Sequence, residues 1–173
     1  GWHIECSAMS MKYLGPTFDI HTGGIDNMFP HHEDEIAQSE AANSCRFVNY
    51  WLHCEHLIVD GQKMSKSLGN FFTLRDLIQK GYSGRELRWV LMGTHYRKKL
   101  NFTFESLEHA RLMLNKFDGF FKRLKSIAEA KTEGENLLAA CEESADKFKA
   151  GISSDLNISE ALAAVHALQT EAN

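Results

Sequence analysis

The chain has 173 residues, 43% of them hydrophobic and 24% charged, with a formal charge of −4 at pH 7. That length carries one domain or two small ones with a real core, and the mild acidity gives no sign of a basic nucleic-acid or membrane surface, so a polyanion would have to be met by local patches. No apolar run approaches the roughly 20 residues of a membrane span, and a cytoplasmic protein is the expectation. Cys6, Cys45, Cys54 and Cys141 have no CxxC spacing. A chain of this size does not need a disulfide framework, so reduced thiols are expected, with metal binding the main exception. Gly1-Trp2-His3-Ile4-Glu5-Cys6 opens without a methionine or polar tail, which raises the expectation of a fragment of a larger protein. There is no internal repeat or low-complexity segment.

Up to about residue 72, short apolar segments alternate with Gly-rich turns. Phe18-Asp19-Ile20-His21 is a brief strand leading into Thr22-Gly23-Gly24-Ile25-Asp26. Pro30 suits the first turn of a helix, where its fixed φ fits and its missing N–H is not needed. A helix is predicted from His31 to about Ala42. Cys54 to Asp60, with Leu57, Ile58 and Val59 in a row, reads as a buried strand. Strand, helix and strand imply a parallel α/β arrangement with a right-handed crossover, of which only part is present.

Beyond residue 72 the pattern is helical. Thr73-x-x-Asp76 and Ser83-x-x-Glu86 have the form of capping boxes, in which the hydroxyl accepts a free helical N–H and the carboxylate reaches back to the cap. Leu74, Leu77 and Ile78, then Leu87, Val90 and Leu91, keep helical spacing behind them. Leu107, Ala110, Leu114, Phe117, Phe121, Leu124 and Ala128 form one apolar stripe, as in a bundle helix. Gly134 marks a break. Two more helices are predicted, around Leu137 to Phe148 and after Asn157 around Leu162, Val165 and Leu168, with their lysines and glutamates on a solvated face.

Two constellations could carry chemistry. In Val59-Asp60-Gly61-Gln62-Lys63-Met64-Ser65-Lys66-Ser67-Leu68-Gly69-Asn70, two lysines three apart stand among residues small enough for a bulky anion to approach. They could neutralise a triphosphate and stabilise charge as pyrophosphate leaves, or be ordinary lysines on a solvated turn. The second is Cys6 with Phe29-Pro30-His31-His32-Glu33-Asp34-Glu35. Residues four apart on a helix share a face, so His31 and Glu35 project together. Thiolate, imidazole and carboxylate are all zinc ligands. The pattern is not the HExxH of zinc proteases, because Ile36 stands where the second histidine belongs. On residues alone, a His–Glu surface pair and a core cysteine remain alternatives.

GWHIECSAM, FDIHTGGIDNMFPHHEDEIAQSEA, NYWLHCEHLIVDGQKMSKSLGNF and RWVLMGTHYRKKLNF occur in this order. KMSKS is the signature loop of class I aminoacyl-tRNA synthetases. Together these stretches resemble the cysteinyl-tRNA synthetase family, closely over about the first hundred residues. The likeness is weaker beyond, where Asp155-Leu156-Asn157 with Glu160-Ala161-Leu162 is similar to the family's helical bundle. The resemblance implies an α/β fold, the C-terminal half of a Rossmann-like nucleotide-binding catalytic domain followed by an α-helical bundle. The expected divisions are residues 1–72 for the catalytic part with its KMSKS loop, 73–103 for connecting helices and 104–173 for the bundle.

By the same resemblance the whole protein, expected to be a monomer, is a cysteine–tRNA ligase. It activates L-cysteine with ATP and Mg2+ to cysteinyl-adenylate and passes the cysteinyl group to tRNA(Cys). Lys66, assisted by Lys63, contacts ATP in the loop that also holds Met64, Ser65 and Ser67. Gly23, Gly24 and Asp26 match the stretch approaching the adenylate ribose, where glycine lets backbone come close. Trp2 and His21 line the amino-acid pocket. Cys6, His31 and Glu35 match ligands of a zinc ion that selects a thiol over a hydroxyl, near-isosteres that shape alone separates poorly. His32 is left open between a supporting donor and a surface residue.

The family's HIGH motif and its fourth zinc ligand, a cysteine upstream, have no counterpart in this sequence, nor has its anticodon-recognising domain. Cys45 and Cys54 lie in no matching motif. The expectation is that the 173-residue chain alone neither activates cysteine nor recognises tRNA. Two alternatives share these residues: the cysteine ligase of mycothiol synthesis, which donates to glucosaminyl-inositol, and a zinc-stabilised scaffold without turnover.

Overall fold

The computed structural model describes residues 1–129 and 135–172, without the side chains of 127–129 and 135–137. The expected break at Gly134 lies outside the described residues, as do the side chains of Ala128 and Leu137. The chain forms two compact units, Gly1–His56 with Tyr96–Lys99, and Leu57–His95 with Leu100–Asn173.

In the first unit, α1 (His3–Leu14) precedes β1 (Phe18–Gly24), a 3-10 turn (Ile25–Asn27), a π-helical turn (Met28–His32), α2 (Glu33–Asn43) and β2 (Val48–Cys54). β1 and β2 are parallel, with His21 opposite Trp51 and Gly23 opposite His53. Because side chains alternate along a strand, these residues share the face towards α2, where His21 bonds Glu35. Ile20 and Tyr50, opposite each other, stand exposed on the other face. Phe47, fully buried, meets Phe18 edge-on at a ring separation of 5.0 Å. The helix predicted from His31 is entered through a kinked turn whose Phe29 is extended at φ −137° and ψ 133°, and α-helical bonding begins at Glu33.

The strand expected over Cys54–Asp60 is corrected. β2 ends at Cys54, β3 (Leu57–Val59) starts after Glu55-His56 and belongs to another sheet, and the parallel partner of β1 is β2. Glu55 N–H donates instead to the Tyr96 carbonyl at 2.8 Å. The apolar run Leu57-Ile58-Val59 drew attention to itself, while Asn49 and His53 interrupt β2 and hide its alternation.

In the second unit β3 is central, antiparallel to β4 (Gln62–Lys63) and parallel to β5 (Leu100–Phe102). Its core joins Val59, Leu77, Val90, Phe102, Leu107 and Ala110, drawn from β3, α3 (Leu74–Gln79), α4 (Gly84–Met92), β5 and α5 (Phe104–Glu129). Both predicted capping boxes are present. Thr73 and Ser83 each accept the backbone N–H three residues on, and Asp76 and Glu86 each reach back to the cap.

Leu107, Ala110, Leu114 and Phe117 are buried as the stripe on α5 requires, but next in line Phe120 is buried and Phe121 is 52% exposed. The partner on that face is α7 (Ile158–Glu171): Phe120 lines a cleft with His166, Gln169 and Thr170, Phe117 meets both His166 of α7 at 5.1 Å and Trp89 of α4 at 5.5 Å, and Gln169 donates to the Lys116 carbonyl. α6 (Glu135–Ser153) and α7 pack closely through small residues. A β-carbon on Gly151 would lie 2.8 Å from the Ala161 nitrogen, and Asn157 caps α7 by accepting the Glu160 N–H.

Candidate metal centre and nucleotide loop

α1 and the start of α2 bring Cys6, His31 and Glu35 together, with one donor atom from each lying within 4.8 Å of the other two. Small side-chain adjustments from this spacing would bring the three donors to the bonds of about 2.0–2.3 Å that zinc makes. Glu35 is fully buried and His31 nearly so, and buried carboxylates are rare without a partner. Glu35 divides its two oxygens. Oε2 accepts from His21 Nε2 at 2.6 Å. Oε1 lies 2.7 Å from His31 Nε2 yet is buried with no hydrogen bond of good geometry. A cation would satisfy both. The donor set and the orphaned oxygen therefore fit zinc.

The surroundings are aromatic. Trp2 stacks on His31 with ring centroids 3.6 Å apart, and Trp51 stacks on His21 at 4.6 Å. Burial first, then the carboxylates of Glu35 and Glu5, push the Cys6 thiol up. His32 is buried and its Nδ1 shares a hydrogen bond of 2.7 Å with His53 Nε2. Burial, then the charges of His21, His53 and His31, hold its imidazolium down to about 4. His21, His32 and Glu35 form a second close set of donors. Gly23 packs against His32, and Gly24 against the Asp26 carboxylate. Cys45 and Cys54 are exposed and stand outside the cluster.

Sequence reasoning left His32 undecided and did not find Trp51 or His53. Recognising Val48–Cys54 as a strand would have put both on the face of His21.

Lys63, Met64, Ser65, Lys66 and Ser67 lie in the second unit. Lys63 ends β4, and Met64 packs against the core. Asp60 and Gly61 make the turn from β3 to β4 at φ 49° and 74°, a region that costs glycine nothing. The Gly61 N–H donates to Asn101 Oδ1 at 2.8 Å. Both lysines are exposed, and Lys66 Nζ stands 5.6 Å from the centre of the Phe71 ring.

A family profile described as tRNA synthetases class I (C) catalytic domain matches residues 1–112. Over the whole chain, identity is 58% to the cysteine–tRNA ligase of Brachyspira hyodysenteriae and 51% to that of Protochlamydia amoebophila, covering 37% and 36% of those proteins. Identity is 54% to the Chlamydia muridarum ligase, over 95% of this chain and 35% of that protein. The chain thus spans a little over a third of the length of the curated relatives it matches. The LeuRS in the LeuRS–tRNA–LeuAMS ternary complex of Agrobacterium radiobacter K84 agnB2 shares the fold, with a TM-score of 0.75 and 17% identity over 88% of this chain and 22% of that one. With its α/β elements, its lysine loop and a matched stretch covering most of its length, the chain belongs to the class I tRNA synthetase (C) catalytic-domain family.

Proposed function

We propose that the chain is part of a cysteine–tRNA ligase, to which it contributes the cysteine-selecting pocket and the lysine half of the ATP site. The carrying observation is the convergence of Cys6, His31 and Glu35 around an orphaned carboxylate oxygen. The naming of its relatives as cysteine–tRNA ligases supports tRNA as the acceptor. A zinc ion held by these three residues supplies a thiophilic Lewis acid, which separates the thiol of cysteine from the hydroxyl of serine.

The chain's own residues do the rest. The hydrogen bond from His21 fixes the Glu35 carboxylate, and Trp2, stacked on His31, holds that ring in place and limits water there. Gly23, Gly24 and Asp26 line the approach to the adenylate ribose. As the cysteine carboxylate attacks the α-phosphorus of ATP, negative charge gathers on the departing pyrophosphate. Lys66 and Lys63 meet that charge. Ser65 and Ser67 shape the loop around them, and Met64 ties it to the core. The cysteinyl group then passes to the 3′-terminal adenosine of tRNA(Cys).

The test is elemental analysis of the purified chain and of Cys6→Ala. Near-stoichiometric zinc that disappears in the variant is expected, and equal zinc in both would overturn the metal assignment. For the lysines, Lys66→Ala in the whole ligase is expected to slow ATP–pyrophosphate exchange by about 10²-fold or more; an unchanged rate would remove Lys66 from the ATP site.

A further inference from the structure

One side chain holds both ends of the peptide segment that carries Met64. Asn70 Nδ2 donates to the Lys63 carbonyl at 3.2 Å, and Asn70 Oδ1 accepts the Ser65 N–H at 2.8 Å. Between these two bonds the Met64 side chain enters the core. The rest of the turn adds bonds of its own. Ser65 Oγ accepts the Leu68 N–H at 3.2 Å and lies 3.1 Å from Ser67 Oγ. The Gly69 N–H closes onto the Lys66 carbonyl at 3.2 Å, with Gly69 at φ 66°.

A side-chain amide both donates and accepts. A carboxylate of the same shape keeps the acceptor and loses the donor, and alanine loses both. Asn70 is half-buried, and its bond from the Ser65 N–H is partly shielded from water while the lysines are exposed. The lysine carbons and ammonium groups take no part in this backbone network, which leaves them available to a ligand.

We propose that Asn70 is the positioning residue of the lysine loop: by bonding the peptide groups on both sides of Met64 it fixes the backbone from which Lys63 and Lys66 project. This rests on reading the lysines as the phosphate-binding groups. A loop already in its binding geometry loses less conformational freedom when the nucleotide arrives and holds the ammonium groups where charge develops. Removing the clamp should therefore weaken ATP use selectively and leave cysteine recognition, which depends on other residues, unaffected.

The experiment compares the whole ligase with its Asn70→Ala and Asn70→Asp variants, by tryptic cleavage after Lys63 and Lys66 without nucleotide and by ATP–pyrophosphate exchange. For Asn70→Ala, cleavage about tenfold faster and a KM for ATP about tenfold higher are expected, with the KM for cysteine and the zinc content unchanged. Asn70→Asp, which keeps the acceptor for Ser65 N–H, should fall between, and it carries the test if the alanine variant fails to fold. Unchanged cleavage, or faster cleavage with an unchanged KM for ATP, overturns the proposal. Lys66→Ala run alongside separates the two readings. Intact exchange in that variant overturns the phosphate reading, and the cleavage rates still decide whether Asn70 fixes the loop.

Discussion

Gly23 stands where a β-carbon would lie 2.5 Å from His32 Cε1 and 3.0 Å from its Nε2. The imidazole has nowhere to retreat, because it is buried, bonded to His53 through Nδ1 and packed 4.9 Å from the Trp51 ring. The glycine is thus required by its neighbour's side chain, apart from any approach of a nucleotide. Gly23→Ala is expected to cost about 1–3 kcal/mol, read as a lower midpoint of thermal or denaturant unfolding. In a His32→Ala background the same substitution should cost much less, since residues in contact are not additive. An equal penalty in both backgrounds would mean that the clash is not its cause. At this scale the sequence was only partly legible. The i, i+4 pairing of His31 and Glu35 can be seen directly, whereas Cys6, His21 and His53 reach the same place only through α1 and the pairing of β1 with β2, and spacing does not encode that.

Among the elements, α3 and α4 were legible because their signals are local: Thr73 with Asp76 and Ser83 with Glu86 each lie within one helical turn. The face of α5 was less so, since Phe120 rather than Phe121 is buried, on the side where it meets α7. Glu86 shows how a cap acquires a tertiary role. Its Oε2 accepts the Ser83 N–H at 2.6 Å and its Oε1 accepts Arg111 Nε of α5 at 2.7 Å. Arg111 also bonds the Gly81 carbonyl and Glu108, and lies over Tyr82. The Arg111 guanidinium first, then the Ser83 N–H, hold the Glu86 carboxyl down to about 2 from its ordinary 4.5. A carboxyl that is more acidic in the folded state than in the unfolded one contributes stability that is complete above pH 4.5. That contribution declines as pH falls from 4.5 towards 2. Glu86→Gln should cost about 1–3 kcal/mol at neutral pH, by leaving Arg111 short of its charged partner. It should also flatten this acid limb, as measured by urea unfolding between pH 2 and 6. A limb of the same steepness in the variant would assign the acid sensitivity to other carboxylates.

For the molecule as a whole, the candidate metal ligands all belong to the first unit, two of them at or near the start of α2 and the third on α1. An ion bound there adds a link between two helices that already meet through the Ser7–Gln38 hydrogen bond and the His3–Asp34 pair. A ligand present at 100 times its dissociation constant adds about 2.7 kcal/mol to the state that binds it, and that stabilisation first reaches the segments whose opening would break the site. Zinc added to the metal-free chain should therefore slow hydrogen exchange at the amides of α1 and α2. The same amides in Cys6→Ala should exchange alike with and without the metal. α6 and α7, which supply no donor to the cluster, provide the internal reference and are expected to be unaffected. If zinc left α1 and α2 unprotected in the unsubstituted chain, three donors would be too few to hold it. The orphaned Glu35 oxygen would then need a different partner. If protection survived Cys6→Ala, the second set of His21, His32 and Glu35 would be the site that binds.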